Sequence, residues 1–221
     1  FLGSKKFEPS PKNLVHSFCH ALPETWFDMA ALLNGTSVMD AVLRWTSEKN
    51  IESLISSAEQ KFQGPGSLLA LPYLSGERTP HNDNQIRGAI VGLSHATVTE
   101  DITLAFLESI AFSLADGLDA LLANNSKPER LTLIGGGSRS DFLAKLIASI
   151  LNITIVGCRS SEYAVSIGSA RLARLAAKNE SPRDVIATLP VTKVFEPDKV
   201  LNAQYAEKIL EFRMLYGQLR N

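Results

Sequence analysis

The 221-residue sequence has little cysteine, no excess of either charge and no long apolar run. Its two cysteines, Cys19 and Cys158, are too few for a disulfide framework and form no Cys-x-x-Cys pair, which favours a reducing, intracellular setting. The 22 basic and 23 acidic residues give a net charge of −1, so nothing indicates a nucleic-acid partner. No stretch could span a membrane, and no signal-peptide pattern opens the chain. We therefore expect a cytoplasmic protein with neither a nucleic-acid nor a membrane partner.

The remaining composition, 45% hydrophobic and 20% charged, is typical of a globular protein with a substantial core. Strand-like segments come first, and helices alternate with strands afterwards. The pattern predicts a hairpin within 15–33 and helices over 38–55, 100–123 (ended by Asn124-Asn125-Ser126), 162–178 and from Asp198 onward. This order predicts one α/β domain with a mixed sheet flanked by helices, the antiparallel hairpin lying at one side of that sheet. The opening Phe1-Leu2-Gly3 resembles the end of a strand, so we expect a piece of a longer protein.

One stretch, residues 131–141, is the most informative. Apolar residues predict a buried strand, Gly135, Gly136 and Gly137 follow it, and an apolar pattern from Phe142 onward predicts a helix. Glycines let a ligand approach the backbone, and the unpaired N–H groups at a helix start attract an anion. Ser138 with Asp141 matches a capping pattern. The loop matches neither common phosphate-binding motif, and similar turns occur for packing alone. These residues alone leave a phosphate site and a packing turn both open.

The helix over 162–178 carries small residues on one face, including Gly168. A glycine inside a helix costs about 1 kcal/mol relative to alanine. The usual compensation is the close approach of another element, which could be a helix, a sheet or a bound ligand. We therefore expect something to pack against Gly168.

Several segments, in this order and at this spacing, carry a resemblance that runs through nearly the whole chain. They are Val15–Pro23, Leu74–His81, Gly88–Leu93 with Asp101-Ile102 and Leu107-Glu108-Ser109 downstream, Leu133–Ser140, and Ser166–Ala173. Together they resemble the C-terminal half of the FGGY-type carbohydrate kinases. The Gly-Glu-Arg-Thr-Pro sequence at 76–80 makes the resemblance closest to the xylulose kinase branch of that family.

The resemblance implies an actin-like ATPase fold built from ribonuclease H-like domains. Residues 1–221 would be the single C-terminal, nucleotide-binding domain of a two-domain sugar kinase. Such an enzyme would transfer the γ-phosphate of ATP to a sugar hydroxyl, here converting D-xylulose to D-xylulose 5-phosphate, with Mg²⁺ bridging the ATP phosphates. The sugar site and the catalytic base would lie in an N-terminal domain outside this sequence. We expect no catalytic residue here, and in particular no such role for Glu77, Arg78 or Asp83.

The resemblance also implies which residues contact ATP or ADP. Gly136 would meet the phosphates, and Ser140 would lie near the ribose or phosphate. The helix that carries Arg44 would pass beside the nucleotide, and many relatives have paired glycines where Asp40-Ala41 stands in this chain. The full set of expected nucleotide-binding residues is Gly135, Gly136, Gly137, Ser138, Ser140, Asp40 and Arg44.

Two alternatives stay open at this point. The chain could belong to a kinase for another pentose, polyol or sugar acid, because the sugar would be bound by the half that is absent. It could also be a non-catalytic, actin-like nucleotide-binding module. Upstream sequence with an aspartate facing the sugar would favour the enzyme, and its loss would favour the module. A homodimer is possible in either case.

Overall fold

The computed structural model describes residues 1–123, 127–178 and 180–220, so the expected helix end at Asn124-Asn125-Ser126 lies outside them. The chain opens with a three-stranded antiparallel sheet and two helices. They are β1 (Leu2–Ser4), β2 (Val15–Cys19), β3 (Trp26–Ala30), α1 (Val38–Thr46) and α2 (Ile51–Lys61). The single helix predicted over 38–55 is wrong. Ser47 adopts a left-handed φ of 57°, and the Asn50 side chain then caps a new helix by accepting from the Ser53 N–H.

The rest of the chain alternates between short strands and helices. Its elements are β4 (Leu69–Leu71), β5 (Ala89–Val91), α3 (Thr99–Leu122), β6 (Arg130–Leu133), α4 (Asp141–Leu151), β7 (Thr154–Cys158), α5 (Ala164–Ala177), α6 (Pro182–Val185), β8 (Val191–Phe195) and α7 (Lys199–Leu219). Strands β4 and β5 form an antiparallel ribbon. Strand β7 pairs with β6 in parallel and with β8 in antiparallel, which is a mixed sheet as predicted.

The hairpin of β2 and β3 does not lie in the mixed sheet, which corrects the predicted arrangement. It pairs instead with β1, in the order β1-β3-β2. A cavity of about 410 Å³ lies between β1 and β6, lined by Leu2, Leu131 and the α3 residue Gly117 among others. Strands β1 and β6 belong to separate sheets in the described residues.

A buried ion pair connects α3, α7 and the turn at Gly66. Glu108 of α3 is fully buried, and its carboxylate accepts from the Gly66 N–H and the Tyr205 hydroxyl, each at 2.8 Å. Lys208 of α7 contacts the same carboxylate and donates to the Gly66 carbonyl at 2.6 Å. A buried charge is costly unless it is paired and hydrogen-bonded, so these partners must assemble together.

Helix α5 lies against little else in the described parts of the chain. None of its residues is buried, and a Cβ added at Gly168 would meet no heavy atom within 4 Å. The expected packing of a helix or sheet against Gly168 is therefore wrong for the described residues. A bound ligand at this face stays a prediction.

Candidate functional site

The loop between β6 and α4 turns twice before the helix begins. Gly135 has a φ of +79°, in the left-handed region that favours glycine, and Gly136–Arg139 form a 3-10 turn. Ser140 then caps α4, its Oγ accepting from the Leu143 N–H at 3.1 Å. The predicted cap at Ser138 is wrong, because the 3-10 turn delays the helix by two residues. The Ser138 hydroxyl donates instead to the Gly135 carbonyl at 2.7 Å.

One side of this glycine loop is open and the other is packed. A Cβ added at Gly136 would meet no heavy atom within 4 Å, whereas one added at Gly137 would lie 2.9 Å from Cγ2 of Thr36. The Gly136 and Gly137 N–H groups begin the 3-10 turn, where no earlier turn supplies an acceptor. In the described part of the chain they have no backbone acceptor outside the turn. An anion could therefore approach this backbone from the Gly136 side.

The two serines of the loop offer different chemistry. The Ser138 hydroxyl proton is used inside the loop, so that oxygen presents mainly lone pairs outward. The Ser140 oxygen accepts from α4, which leaves its own proton available to a ligand. Next to it, the Asp141 carboxylate lies 2.6 Å from Nζ of Lys193 in β8. This exposed ion pair offsets the negative charge at the start of α4, where an anionic ligand would otherwise be repelled.

Two turns from distant parts of the chain flank the glycine loop, and our sequence-based reasoning identified neither. The turn before α1 brings Thr36 against Gly137. The turn after β7 brings the Ser161 carbonyl to the Gly135 N–H at 3.1 Å. Nothing in the local sequence around Thr36, Ser161 or Lys193 marks these long-range contacts, so no local pattern could have found them.

The structure brings the turn that precedes α1 to the loop. Asp40 and Arg44 follow Thr36 by four and eight residues, which is roughly 6 Å and 12 Å along a helix axis. Both side chains are exposed. Neither forms an ion pair with another described residue. Their expected nucleotide contacts stay predictions.

In the polar loop over 75–84, Glu77 is held by backbone hydrogen bonds. The Glu77 carboxylate is buried and accepts from the Leu33 and Arg78 N–H groups, each at 2.8 Å. Burial raises the pKa of Glu77, while these bonds oppose that shift. This carboxylate therefore joins the loop to the end of the hairpin segment.

Across residues 1–123, 127–178 and 180–220, no three His, Cys, Asp or Glu side chains lie close enough together to hold a metal ion. In the same residues, no helix has the length and apolarity to cross a bilayer.

The chain is similar to carbohydrate kinases in sequence. Residues 6–177 match the family model described as the C-terminal domain of the FGGY family of carbohydrate kinases. Over 220 residues the chain is 38% identical to a xylulose kinase of Escherichia coli, covering 99% of this chain and 46% of that protein. Over 221 residues it is 34% identical to a xylulose kinase of Klebsiella pneumoniae, covering 100% and 46%. It thus spans about half the length of these relatives.

Solved structures give the same likeness in three dimensions. A crystal structure described as a "xyloylose kinase" from Brucella ovis matches with a TM-score of 0.90 and 35% identity, over 98% of this chain and 46% of that one. A gluconate kinase from Lactobacillus acidophilus matches with a TM-score of 0.72 and 26% identity, over 88% and 40%. The expected actin-like kinase fold is confirmed by these matches.

Proposed function

The chain belongs to the FGGY family of carbohydrate kinases, and we propose that it is the C-terminal, nucleotide-binding domain of a xylulose kinase. The observation that carries this proposal is the alignment of nearly the whole chain with 46% of a xylulose kinase at 38% identity. The complete enzyme would transfer the γ-phosphate of ATP to a hydroxyl of D-xylulose, giving D-xylulose 5-phosphate and ADP. The sugar site and the base would lie in an N-terminal domain.

We propose that the glycine loop holds the phosphates of ATP or ADP. The open side at Gly136 admits a phosphate, the turn's first N–H groups can donate to it, and Ser140 can add its hydroxyl proton. The partial positive charge at the start of α4 favours the same ligand. Gly137 would donate through its backbone N–H, while Gly135 and Ser138 would shape the loop.

Phosphoryl transfer depends on positioning and on stabilising the charge of the phosphates. Bound Mg²⁺ would supply part of that charge stabilisation. The described residues offer no acidic cluster for it, so the nucleotide phosphates would be its main ligands on this side of the site. The contribution of this chain is to orient the nucleotide and to fix the phosphate position before the sugar arrives.

A kinase for a sugar acid is the second candidate, because a gluconate kinase shares this fold at 26% identity. The xylulose kinases are favoured by their higher identity and by the resemblance carried by residues 76–80. Purified full-length enzyme assayed with D-xylulose and with gluconate at equal concentrations separates the two. We expect the larger kcat/KM with xylulose, and a larger value with gluconate would reverse the assignment.

The 221-residue chain alone gives a direct test of the domain assignment. We expect calorimetric titration to show weak ADP binding, because the glycine loop can still donate its N–H groups. Xylulose should not bind, and a coupled assay should show no phosphate transfer, because the sugar site and the base would lie in the N-terminal domain. The full-length enzyme is the positive control. Sugar-dependent ADP release by this chain alone would place the base within residues 1–221 and refute the assignment.

A further inference from the structure

Ser161 lies behind the glycine loop, in the turn that follows β7, and is only 3% exposed. Its hydroxyl accepts from the Cys158 N–H at 2.9 Å and donates to the Cys158 carbonyl. Its own carbonyl accepts from the Gly135 N–H at 3.1 Å. One buried residue therefore connects the end of β7 to the start of the glycine loop.

The first residue of the loop is held through its backbone. Gly135 takes a left-handed conformation, its carbonyl accepts from Ser138 within the loop, and its N–H donates to the Ser161 carbonyl outside the loop. The opposite flank is fixed only two residues later, where Gly137 packs on Thr36. A site that binds through backbone N–H groups works best when those groups are already fixed in direction.

We propose that Ser161 is a positioning residue for the nucleotide. Its buried hydroxyl fixes the turn whose carbonyl holds Gly135, and this in turn directs the N–H groups of Gly136 and Gly137 toward the phosphates. Ser161 itself would not touch the ligand. This inference rests on the proposed function of the glycine loop.

The test compares Ser161→Ala with the parent chain and with Ser53→Ala. The Ser161→Ala change removes the hydroxyl that pairs with the N–H and the carbonyl of Cys158, so the turn loosens. We expect the dissociation constant for ADP to rise about fivefold, which corresponds to about 1 kcal/mol. Amide hydrogen exchange at Gly135 should become faster. The Ser53 hydroxyl donates to the Asn50 carbonyl at the start of α2, and no nucleotide contact is assigned to it, so Ser53→Ala should match the parent in both measurements.

Steady-state kinetics of the full-length enzyme separate positioning from general damage. With Ser161→Ala we expect KM for ATP to rise while KM for the sugar stays the same. A second measurement needs no variant: ADP added to the parent should slow hydrogen exchange at Gly135.

The possible failures are distinguishable. A parent that binds no ADP would overturn the proposed function together with this inference. A parent that binds ADP as tightly as Ser161→Ala does would overturn only the role of Ser161. If the parent binds ADP but exchange at Gly135 does not become slower, the role of Ser161 is also overturned. This result can be obtained even if Ser161→Ala does not fold.

Discussion

Gly136→Val should weaken ATP binding without unfolding the protein. A Cβ at position 136 meets no heavy atom within 4 Å, and the φ of Gly136 lies outside the left-handed region, so a branched side chain can be accommodated. Replacing glycine at a compatible position stabilises a protein by about 0.4–1 kcal/mol, because the unfolded chain loses freedom. For a domain of this size that corresponds to a melting temperature higher by up to about 4 °C.

The same side chain would occupy the space through which a phosphate must approach. A hydrogen bond to a charged group contributes about 1.5–3 kcal/mol, so losing one should raise KM for ATP roughly 10- to 150-fold. KM for the sugar should change little, because no sugar contact is assigned to the loop. The full-length enzyme, assayed with each substrate varied in turn, measures both constants.

Two other glycines provide matched controls. Gly217→Ala lies in α7, where the added Cβ is equally free, so KM for ATP should be unchanged and the melting temperature should rise. Gly137→Ala would place its Cβ 2.9 Å from Thr36 and should lower the melting temperature. If Gly136→Val kept the parent's KM for ATP, the glycine loop could not be the phosphate site.

Three further predictions follow from the hydrogen bonds and burial described for this chain. Ser140→Ala should raise KM for ATP more than Ser138→Ala, because only Ser140 has a hydroxyl proton to give; equal effects in steady-state kinetics would contradict this. Lys208→Met should lower the free energy of unfolding by about 3–5 kcal/mol, because it leaves the buried carboxylate of Glu108 without its cation. Urea titration measures this loss, and the double variant with Glu108→Gln should recover part of it. Burial lowers the pKa of His81 from 6.5 to about 4, so between those pH values the unfolded chain binds more protons than the folded one. Stability should therefore fall as the pH drops from 6.5 to about 4. The melting temperature of His81→Phe should depend less on pH in that range.

The glycine loop shows both the reach and the limit of sequence-based prediction. Its strand, glycines and helix follow from local preferences, so residues 131–151 could be predicted as a strand, a turn and a helix. The cap could not, because Ser138 and Ser140 are both good capping residues. The choice between them depends on the 3-10 turn, which forms where Gly137 packs on Thr36 and Ser161 holds Gly135.

The same division applies to the fold. The strand before the glycine loop and the helix start at Asp198 carry strong local preferences and were predicted correctly. The break after Thr46 was missed, because the apolar pattern continues across two helices and hides the cap at Asn50. The place of the hairpin was missed because it depends on a pairing between β1 and β3 that spans distant residues. The contacts of Ser161 and Lys193 with the glycine loop and Asp141 were also missed, because they join residues far apart in the sequence.

The buried pair of Glu108 and Lys208 sets a timing constraint on the synthesis of this chain. Lys208 follows Glu108 by 100 residues and Gly66 by 142. At ribosomal rates of about 5–20 residues per second, the carboxylate waits roughly 5–20 s for its cation. During that interval α3 cannot bury Glu108 as an ion pair, so the core stays accessible to chaperones and proteases until the last helix emerges. We expect a nascent chain arrested before residue 208 to be cleaved by added protease, and one released at full length to resist it.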